Sequence, residues 1–453
     1  MKYIRFLSAV IACVMLLLAF SACGDAQSDS GTTATSAPDT EYTGKAIDYA
    51  SEVKLDMSSD TAKQEVTVKI FVDGDTTHFN VPSSLMETRV LKARYLAVNT
   101  PESTGKIEEY GKAASTFTKD ALSSAESIIV ESDNSSWNLD STGERHLVWV
   151  WYRKPGEDEY RNLNIEILQN GLAIASSSAN NRYGTTCVSA INQAKAQKLN
   201  IYSGKKDPDF YYGDAKELTL RELRCNIESY NGIKVAFEGV VTLDNNNGVF
   251  VEEYDPETGL YFGIYVYYGF SLSGEGLDIL SVGNRVRIVG TVSYYEAGGT
   301  YQVSGLTYRA MKKDDPSNLR LISKGNPAAF APVSAKEFSD KVSVTSADDE
   351  VKTFDYANLV MNSSVSTDGL TVKSIYTTEN AGSSSNGAMT LTCTSDDGTT
   401  IQVRTAKAFR DDDGKPITED AYLGKTISVR GIVDYFDGSY QIKVFSEEDI
   451  LIK

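Results

Sequence analysis

Short apolar segments with polar residues at alternate positions recur along the chain, and turn residues separate them. In the first half, this pattern predicts five strands, at residues 66–71, 77–81, 90–98, 127–131 and 146–152. Alternation with a period of two is typical of strands that bury one face. The turn Asp73-Gly74-Asp75 joins the first two strands, and Pro101 marks the end of the third, since proline is excluded from central strands.

Three segments show the spacing of a helix instead. Between residues 108 and 122, Tyr110, Ala114, Phe117 and Ala121 recur at intervals of three and four. This spacing places them on one face of an amphipathic helix. Segments 162–171 and 187–199 have similar spacing, so we predict helices interspersed among the strands.

The second half of the chain contains an internal repeat. Gly283 and Gly290 begin a pattern of apolar, arginine and aromatic residues that recurs at Gly424 and Gly431, 141 residues later. Matching short strands precede the two copies, at 233–242, 248–252 and 263–267 and at 369–376, 389–394 and 401–405. Five short strands with glycine turns are typical of a small closed barrel. Each copy therefore resembles an OB-fold module.

The N-terminus has the pattern of a secretory signal. Lys2 and Arg5 precede an apolar run over residues 6–20, and the small pair Ser21-Ala22 leads into Cys23. The resemblance to bacterial lipoproteins implies cleavage before Cys23 and a lipid on its sulfur. We expect the protein on the bacterial cell membrane, lipid-anchored and facing outside the cytoplasm. An uncleaved anchor is the alternative, although the run is short for a span of ~20 residues.

Together these patterns predict the following layout. The chain begins with a signal peptide at 1–22 and the lipidated Cys23 with a flexible spacer at 23–61. A first folded domain covers 62–212, a connector 213–230, one OB-like module 231–310, a linker 311–350 and a second OB-like module 351–453. A chain of 453 residues has room for two to four domains of ~100 to 200 residues each.

Charge is unevenly distributed between these parts. The net charge is -18, which argues against a protein that coats nucleic acid through basic residues. Residues 62–212 hold 17 Lys and Arg against 19 Asp and Glu, whereas residues 213–453 hold 23 against 35. The acidic surface is thus predicted mainly in the C-terminal half, where it would keep an exported protein soluble.

Cysteine and histidine are too sparse for several kinds of site. Beyond the signal and Cys23, only Cys187, Cys225 and Cys393 remain, so a tetrahedral zinc site is not expected. An oxidising location permits one disulfide, for which Cys187 and Cys225 are the favoured pair with the connectivity left open. The chain has 2 His, which excludes histidine-rich nuclease motifs.

Six motifs in the predicted first domain occur in the order and spacing of a known family. In chain order they are Val72-Asp73-Gly74-Asp75-Thr76, then Arg94 with Asn99-Thr100-Pro101-Glu102, Glu109 to Ala114, Gly143 to Val150, Asn164 to Ala173, and Gln193 to Tyr202. Each motif is weak alone. Their joint order across about a third of the chain resembles the thermonuclease (staphylococcal nuclease) family.

The resemblance implies a fold class and an active site. The fold would be mainly β with α: a staphylococcal-nuclease-type OB barrel with packed helices, followed by two OB-like five-stranded β-barrel modules. The site would hold Ca²⁺ or another divalent cation through Asp75, the Asn99 side chain and the Thr100 carbonyl, all hard oxygen donors. The implied catalytic residues are Arg94 and Arg145, which would clamp the phosphate, and Glu102, which would position water, with Asp73 in support.

Three positions depart from the family pattern. Asn99 stands where the family usually has Asp, which removes a negative charge from the cation site. Thr142-Gly143-Glu144-Arg145 replaces a Tyr-Gly-Arg sequence, and Ser176 to Ser178 stand where tyrosines usually contact the nucleotide.

Two functions follow from these observations. The first is an extracytoplasmic, membrane-tethered, cation-dependent nuclease that hydrolyses phosphodiester bonds of DNA and/or RNA. The second is a catalytically inactive surface lipoprotein that binds nucleic acid or glycan. In either case the C-terminal modules could bind nucleic acid, glycan or protein through aromatics. These aromatics are Tyr265, Tyr267, Tyr294, Tyr295, Tyr301, Tyr435, Phe436 and Tyr440.

Overall fold

The computed structural model describes residues 44–176, 180–245, 247–346, 350–380, 383–411 and 413–453. The predicted signal peptide, Cys23, Ser177 and Ser178 lie outside these residues. Within the described ranges, no helix combines the length and the apolarity needed to cross a membrane.

The first part of the described chain is a five-stranded closed barrel with helices packed on it. Its strands are β1 (Lys63–Asp73), β2 (Thr76–Asn80), β3 (Val90–Tyr95), β4 (Ala97–Asn99), β5 (Ser127–Glu131), β6 (His146–Arg153), β7 (Arg161–Asn162) and β8 (Ile174–Ser176). Its helices are α1 (Tyr49–Glu52), α2 (Gly111–Ser123), α3 (Leu163–Gln169) and α4 (Gly184–Ala196), with a helical turn at Asn200–Tyr202. Antiparallel pairing joins β3, β2, β1, β5 and β6 in that order, and β3 closes the barrel by pairing in parallel with β6.

The core of this first barrel is aromatic and aliphatic. Trp149 and Trp151 on β6 and Phe79 on β2 are fully buried. Asn162 caps α3 by accepting a hydrogen bond from the Ile165 amide at 3.1 Å, so the helix begins one residue later than predicted.

The predicted strand at 90–98 is two strands, because the backbone turns at Ala97. Ala97 has φ +67°, a left-handed conformation that ends β3 at Tyr95. Ala97 also begins β4, which pairs antiparallel with β8 through Ala97 and Ser176. The single alternating face predicted from Val90 to Val98 is therefore wrong, and the bend returns Asn99 toward Arg94.

The last part of the predicted flexible spacer is folded, which corrects that prediction for residues 45–61. Ala50 on α1 is fully buried in the core of the first barrel. The Ile47 amide donates to Gln193 at 2.8 Å, and Arg161 donates to both carboxylate oxygens of Asp48. The hydrogen bonds from Arg161, together with one from Gln169, lower the pKa of Asp48 to about 2.

The second barrel is built from the first copy of the repeat. Its strands are β9 (Lys216–Glu217), β10 (Lys234–Asp244), β11 (Gly248–Asp255), β12 (Leu260–Tyr267), β13 (Arg285–Tyr295), β14 (Thr300–Ser304) and β15 (Arg320–Ser323). Its helices are α5 (Leu220–Cys225) and α6 (Glu275–Ile279), with a helical turn at Ile227–Tyr230. The closed ring is β10, β11, β12, β14 and β13, in which β12 and β14 are parallel.

The third barrel repeats this topology. Its strands are β16 (Ala331–Pro332), β17 (Lys341–Thr345), β18 (Val351–Asp355), β19 (Ser364–Thr377), β20 (Met389–Thr394), β21 (Thr400–Thr405), β22 (Thr426–Phe436), β23 (Ser439–Val444) and β24 (Ile450–Ile452). Its helices are α7 (Ala335–Ser339) and α8 (Tyr356–Leu359), with helical turns at Glu419–Ala421 and Glu447–Asp449. The ring is β19, β20, β21, β23 and β22, and β21 and β23 are parallel. The predicted fold class of three OB-type barrels is confirmed.

The repeated glycines have the same structural cause in both copies. Gly283 and Gly424 precede the fourth ring strand with φ +85° and +73°, where a side chain would be strained. Gly290 and Gly431 lie where that strand crosses the fifth. A Cβ atom on Gly290 would lie 2.7 Å from the Ser304 carbonyl oxygen, and one on Gly431 would lie 2.5 Å from the Lys443 carbonyl oxygen.

The segments predicted as connector and linker contain secondary structure that packs against the barrels. In the connector 213–230, Leu220 and Leu223 on α5 are buried in the second core, and Thr219 caps that helix. In the linker 311–350, β15 pairs with β13, and β17 forms a hairpin with β18. Val344 of that hairpin packs into the second core, so the hairpin joins the second and third barrels.

The three described cysteines beyond the spacer are free, and each belongs to a different core. Cys187 is buried in the first barrel, Cys225 in the second and Cys393 in the third. The predicted Cys187–Cys225 disulfide is therefore wrong, because separate cores keep the two sulfurs apart.

A buried carboxylate joins the second and third barrels. Glu252 on β11 is 2% exposed and accepts from the Ser364 amide at 2.6 Å, the Ser364 hydroxyl at 2.8 Å and the Ala329 amide at 3.0 Å. Burial raises its pKa, and these hydrogen bonds oppose that shift. Arg224 makes a second buried connection by donating to the carbonyl oxygens of Asn358 and Leu359.

We predict that Glu252→Ala destabilises the C-terminal barrels by about 2–4 kcal/mol, because it leaves the buried Ser364 amide and the partly buried Ala329 amide without acceptors. The midpoint of urea unfolding followed by far-UV circular dichroism should fall. Tryptophan fluorescence should report a nearly unchanged transition for the first barrel, since the 3 Trp of the chain are Trp137, Trp149 and Trp151.

The neighbouring Glu253 provides the matched control. It forms a partly exposed ion pair with Arg285, with 2.6 Å between Oε2 and Nη1, and such pairs contribute about 0–1 kcal/mol. An effect of Glu253→Ala as large as that of Glu252→Ala would contradict the prediction.

Candidate active site

The turn between β1 and β2 carries two acidic side chains under helix α2. Asp75 is almost fully buried, and its Oδ2 accepts from the Thr100 amide at 2.9 Å. Gly74 lies between them because its position has no room for a side chain. A Cβ there would be 2.9 Å from both Ala114 on α2 and the Thr100 hydroxyl. Thr118 on α2 also donates to the Gly74 carbonyl oxygen at 2.5 Å, which fixes the turn against the helix.

Arg94 lies at the centre of the predicted site residues. Its Nη1 donates to Asp75 Oδ1, and its Nη2 donates to Asn99 Oδ1 at 2.6 Å. Register explains the first contact, because Arg94 pairs with Thr76 across β2 and β3. The bend at Ala97 explains the second. Burial raises the pKa of Asp75, and the positive charge of Arg94 opposes that shift.

Asp73 organises the loop that carries Glu102. Its Oδ1 accepts from the Ser103 hydroxyl at 2.6 Å and from the Ser103 amide at 3.2 Å. The Glu102 residue is exposed to solvent, but its carboxyl group lies close to the carboxyl groups of Asp73 and Asp75. The pKa of Glu102 is raised to about 8 by loss of water around its carboxyl, by a hydrogen bond with Asp73 and by the negative charges of Asp73 and Asp75. The positive charge of Arg94 opposes this shift.

Arg145 immediately precedes β6, the strand that pairs with β3. The register places His146 opposite Ala93 and Leu147 opposite Arg94, so Arg145 lies one residue before the strand that is adjacent to the strand of Arg94. The Arg145 side chain is turned to Asp140, with 2.7 Å between Nε and Asp140 Oδ2. Although burial opposes it, hydrogen bonds from Thr142 and Arg145 lower the pKa of Asp140 to about 2. Among the described contacts, none joins Arg145 to the group around Arg94.

The second barrel supports the loop that follows Glu102. The Ser304 hydroxyl donates to the Gly105 carbonyl oxygen at 2.7 Å. A Cβ on the adjacent Gly305 would be 3.4 Å from the same oxygen, which shows how closely β14 approaches the loop. Lys119 on α2 forms an ion pair with Glu296 at the end of the β13–β14 hairpin.

Sequence reasoning missed three residues that hold the site together. They are Ser103, which binds Asp73; Thr118, which binds the Gly74 carbonyl; and Asp140, which binds Arg145. The signal for Asp140 was present, because it begins the turn Asp140-Ser141-Thr142-Gly143 directly before Arg145. Ser103 and Thr118 gave no such signal, since their partners are distant along the chain or are backbone atoms.

The predicted cation ligands meet in space, but they form a sparse site. Within the described ranges, no three His, Cys, Asp or Glu side chains are arranged to hold a metal ion by themselves. Asp75, Asn99 and the Thr100 carbonyl are all oxygen donors, which Ca²⁺ prefers. The Thr100 hydroxyl is buried without a hydrogen-bond partner among the described residues, as expected for a polar pocket that accepts a further group. The donor chemistry therefore fits a hard divalent cation held by one carboxylate.

Comparison with known proteins finds similarity to nucleases in the first barrel. Residues 92–204 match the family described as staphylococcal nuclease homologue. This match includes Arg94, Asn99, Glu102 and Arg145 and begins after Asp75.

A thermonuclease from Staphylococcus intermedius is 31% identical over 149 residues, which are 32% of this chain and 80% of that enzyme. The similarity supports a nuclease and confirms the resemblance seen in the six motifs. Because that relative is 31% identical and is matched over 80% of its length, the chain belongs to the staphylococcal nuclease homologue family.

Proposed function

We propose that the chain is an exported, membrane-tethered nuclease that uses a divalent cation to hydrolyse phosphodiester bonds of DNA and/or RNA. The observation that carries this proposal is the meeting of Asp75, Arg94, Asn99 and Glu102 at one edge of the first barrel. These residues come from the turn between β1 and β2 and from the segment that runs through β3 and β4 into the following loop. A purely structural role would not require a buried acid, a guanidinium and a carboxyl of raised pKa side by side.

Arg94 supplies the phosphate contact in this proposal. Its two terminal nitrogens donate to two oxygens, those of Asp75 and Asn99, in the forked geometry that also matches two phosphate oxygens. A phosphodiester entering the site would take over these donors as charge gathers on its oxygens. Arg145 would supply the second guanidinium after exchanging Asp140 for the substrate.

Glu102 positions the attacking water. A carboxylate accepts a proton from water only when it is ionised, so positive charge near Glu102 is required to oppose its neighbouring acids. Arg94 supplies part of that charge. Asp73 holds the loop through Ser103 and thereby sets the orientation of the Glu102 carboxyl.

The divalent cation would be held by Asp75, Asn99 and the Thr100 carbonyl. When bound, it would neutralise phosphate charge that otherwise repels the incoming oxygen. Asn99 leaves Asp75 as the only ionised ligand among the three, so affinity should be lower than at a site with two carboxylates.

We further propose a lipid anchor on Cys23 and a location outside the cytoplasm. The support is the order of a basic start, an apolar run and Ser21-Ala22-Cys23. A diacylglycerol carries two acyl chains, which is what stable membrane attachment requires.

A second candidate function is binding without turnover. The observation that favours it is the closed contact of Arg94 with both Asp75 and Asn99, which satisfies the guanidinium within the protein. A descendant that had lost the second carboxylate could retain nucleic acid binding alone.

The first prediction concerns turnover. Purified protein spanning 44–453 should cleave DNA or RNA in Ca²⁺ or another divalent cation and not in chelator. Arg94→Ala and Glu102→Ala should each lower kcat by about 100-fold or more, since each removes a contact made in the transition state. Lys92→Ala, an exposed change on the same strand, should retain activity. Absence of cleavage by folded parent protein with every divalent cation tried would favour the binding function.

The second prediction concerns the cation ligand. Asn99→Asp should raise Ca²⁺ affinity by about tenfold, because it adds a second negative charge to the proposed cation ligands. Isothermal calorimetry and the Ca²⁺-dependent shift of the melting temperature measure this without turnover. Asn80→Asp, at the exposed end of β2, is the matched control. Equal Ca²⁺ affinity in the parent and both variants would mean that position 99 does not contact the cation.

The third prediction concerns the anchor. In a bacterial host, the full chain should incorporate labelled fatty acid and sediment with membranes. Cys23→Ser should lose the label and the acyl-dependent attachment. Retention of unlabelled Cys23→Ser in the membrane at the level of the parent would support an uncleaved apolar anchor instead.

A further inference from the structure

The second and third barrels have the same topology, but they differ in what covers one face. In an OB-type barrel, the outer face of the second and third strands is where oligonucleotides or oligosaccharides bind. Those strands are β11 and β12 in the second barrel and β20 and β21 in the third.

In the second barrel this face is covered by the third. Phe250, which points outward from β11, is 4% exposed and packs against Phe445, with 5.8 Å between ring centroids. A Cβ on Gly263 of β12 would be 2.3 Å from the Asn362 backbone, so the two barrels touch directly there. The Tyr265 amide donates to the Asn362 side chain at 3.2 Å. This face therefore has no room for a ligand, and Tyr265 contributes to an interface between barrels.

In the third barrel the equivalent face is open. Burial alternates strictly along β20, with Met389, Leu391 and Cys393 buried and the three threonines between and after them partly exposed. Along β21, Gln402 and Arg404 point outward in the same way. The alternation shows one face in the core and the other in water.

A row of aromatic and cationic side chains crosses this open face. Tyr376 on β19 pairs with Thr390 on β20, and Thr390 pairs with Arg404 on β21, so the three stand side by side. Tyr376 is 64% exposed. Phe436, which is 55% exposed, follows at the end of β22, with the Arg404 guanidinium carbon 5.0 Å from its ring centroid.

Arg404 is held in place by neutral groups. Its nitrogens donate to the Thr390 hydroxyl at 2.7 Å and to the Thr378 hydroxyl at 3.3 Å. Among the described residues no carboxylate forms an ion pair with it, whereas Lys443 on the neighbouring strand has Asp434 at 3.6 Å. The charge of Arg404 is thus available to an anionic ligand, although the region as a whole is acidic.

We propose that this face of the third barrel, defined by Tyr376, Thr390, Arg404 and Phe436, binds single-stranded nucleic acid. Tyr376 and Phe436 would stack on successive bases, and Arg404 would contact a phosphate between them. Exposed rings favour unstacked bases over a duplex, whose bases face inward. The choice of nucleic acid over glycan rests on the cation of Arg404 and on the proposed nuclease function, for which this face would capture long substrate.

Anisotropy of a fluorescent oligothymidylate, measured in chelator with protein spanning 44–453, tests the proposal. The background is Arg94→Ala, so that binding at the first barrel is weakened and no strand is cleaved. Tyr376→Ala and Phe436→Ala should each raise Kd about tenfold, the loss expected for one stacked base. Phe436→Leu should lose as much as Phe436→Ala, because it keeps apolar volume but not the ring face.

Arg404→Ala should reduce the salt dependence of binding. Neutralising one phosphate of a single strand contributes a slope of about -0.7 in log K against log salt, and this variant should lose about that amount. The matched control is Tyr254→Ala, which removes a tyrosine 47% exposed on β11 of the second barrel and should bind as the parent does. Melting temperatures of all variants check folding.

Three outcomes would overturn the proposal. The first is an unchanged Kd in all third-barrel variants, and the second is an equal loss of oligonucleotide affinity in Tyr254→Ala. The third is that the protein binds a neutral oligosaccharide instead of the oligonucleotide, and that the third-barrel variants lose this oligosaccharide binding. Because turnover is absent from this assay, failure of the nuclease proposal would leave its result intact. Conversely, a nuclease with full activity and no binding at this face would refute only the present inference.

Discussion

The candidate site depends on the parallel pairing of β3 with β6, which closes the first barrel. Without this closure, Arg94 and Arg145 would lie on the free edges of an open sheet. Two antiparallel hairpins alone cannot bring these strands together, because a parallel pair needs a long crossover. Here that crossover is the segment containing α2 and β5, and α2 also packs against the Asp73–Asp75 turn. The same closure recurs in the other barrels, where the third and fifth ring strands also pair in parallel.

Two kinds of acidic side chain in this protein differ in their partners. Glu131 is fully buried and accepts hydrogen bonds from Thr61, Trp151 and Tyr183. Glu252 likewise accepts from amides and a hydroxyl of the next barrel. Such acids are satisfied by donors and hold structure together. Glu102 instead lies among other acids, and its raised pKa reflects loss of water around the carboxyl together with a hydrogen bond and like charge from neighbouring acids, which is a feature of sites that perform chemistry.

Much of the fold could be predicted from local pattern, because strand and helix periods are local. The bounds of β5 and β20 agree with the predicted ranges, and the order of six motifs indicated the family. Local pattern could not predict the bend at Ala97, since alanine has no preference for positive φ. It also could not show that residues 45–61 fold, because their contacts with Arg161 and Gln193 are more than 100 residues away in the chain.

The packing of one barrel against the next is nevertheless partly indicated by the apolar pattern of the individual strands. Residues 248–251 of β11 are all buried, whereas 389–394 of β20 alternate between buried and partly exposed. A strand that is apolar on both faces must be covered on both, and a strand that alternates leaves one face to water. The apolar run Val249-Phe250-Val251 thus already requires a neighbour over the second barrel. The threonines of β20 require none, so the duplicated fold could keep an open surface only on its second copy.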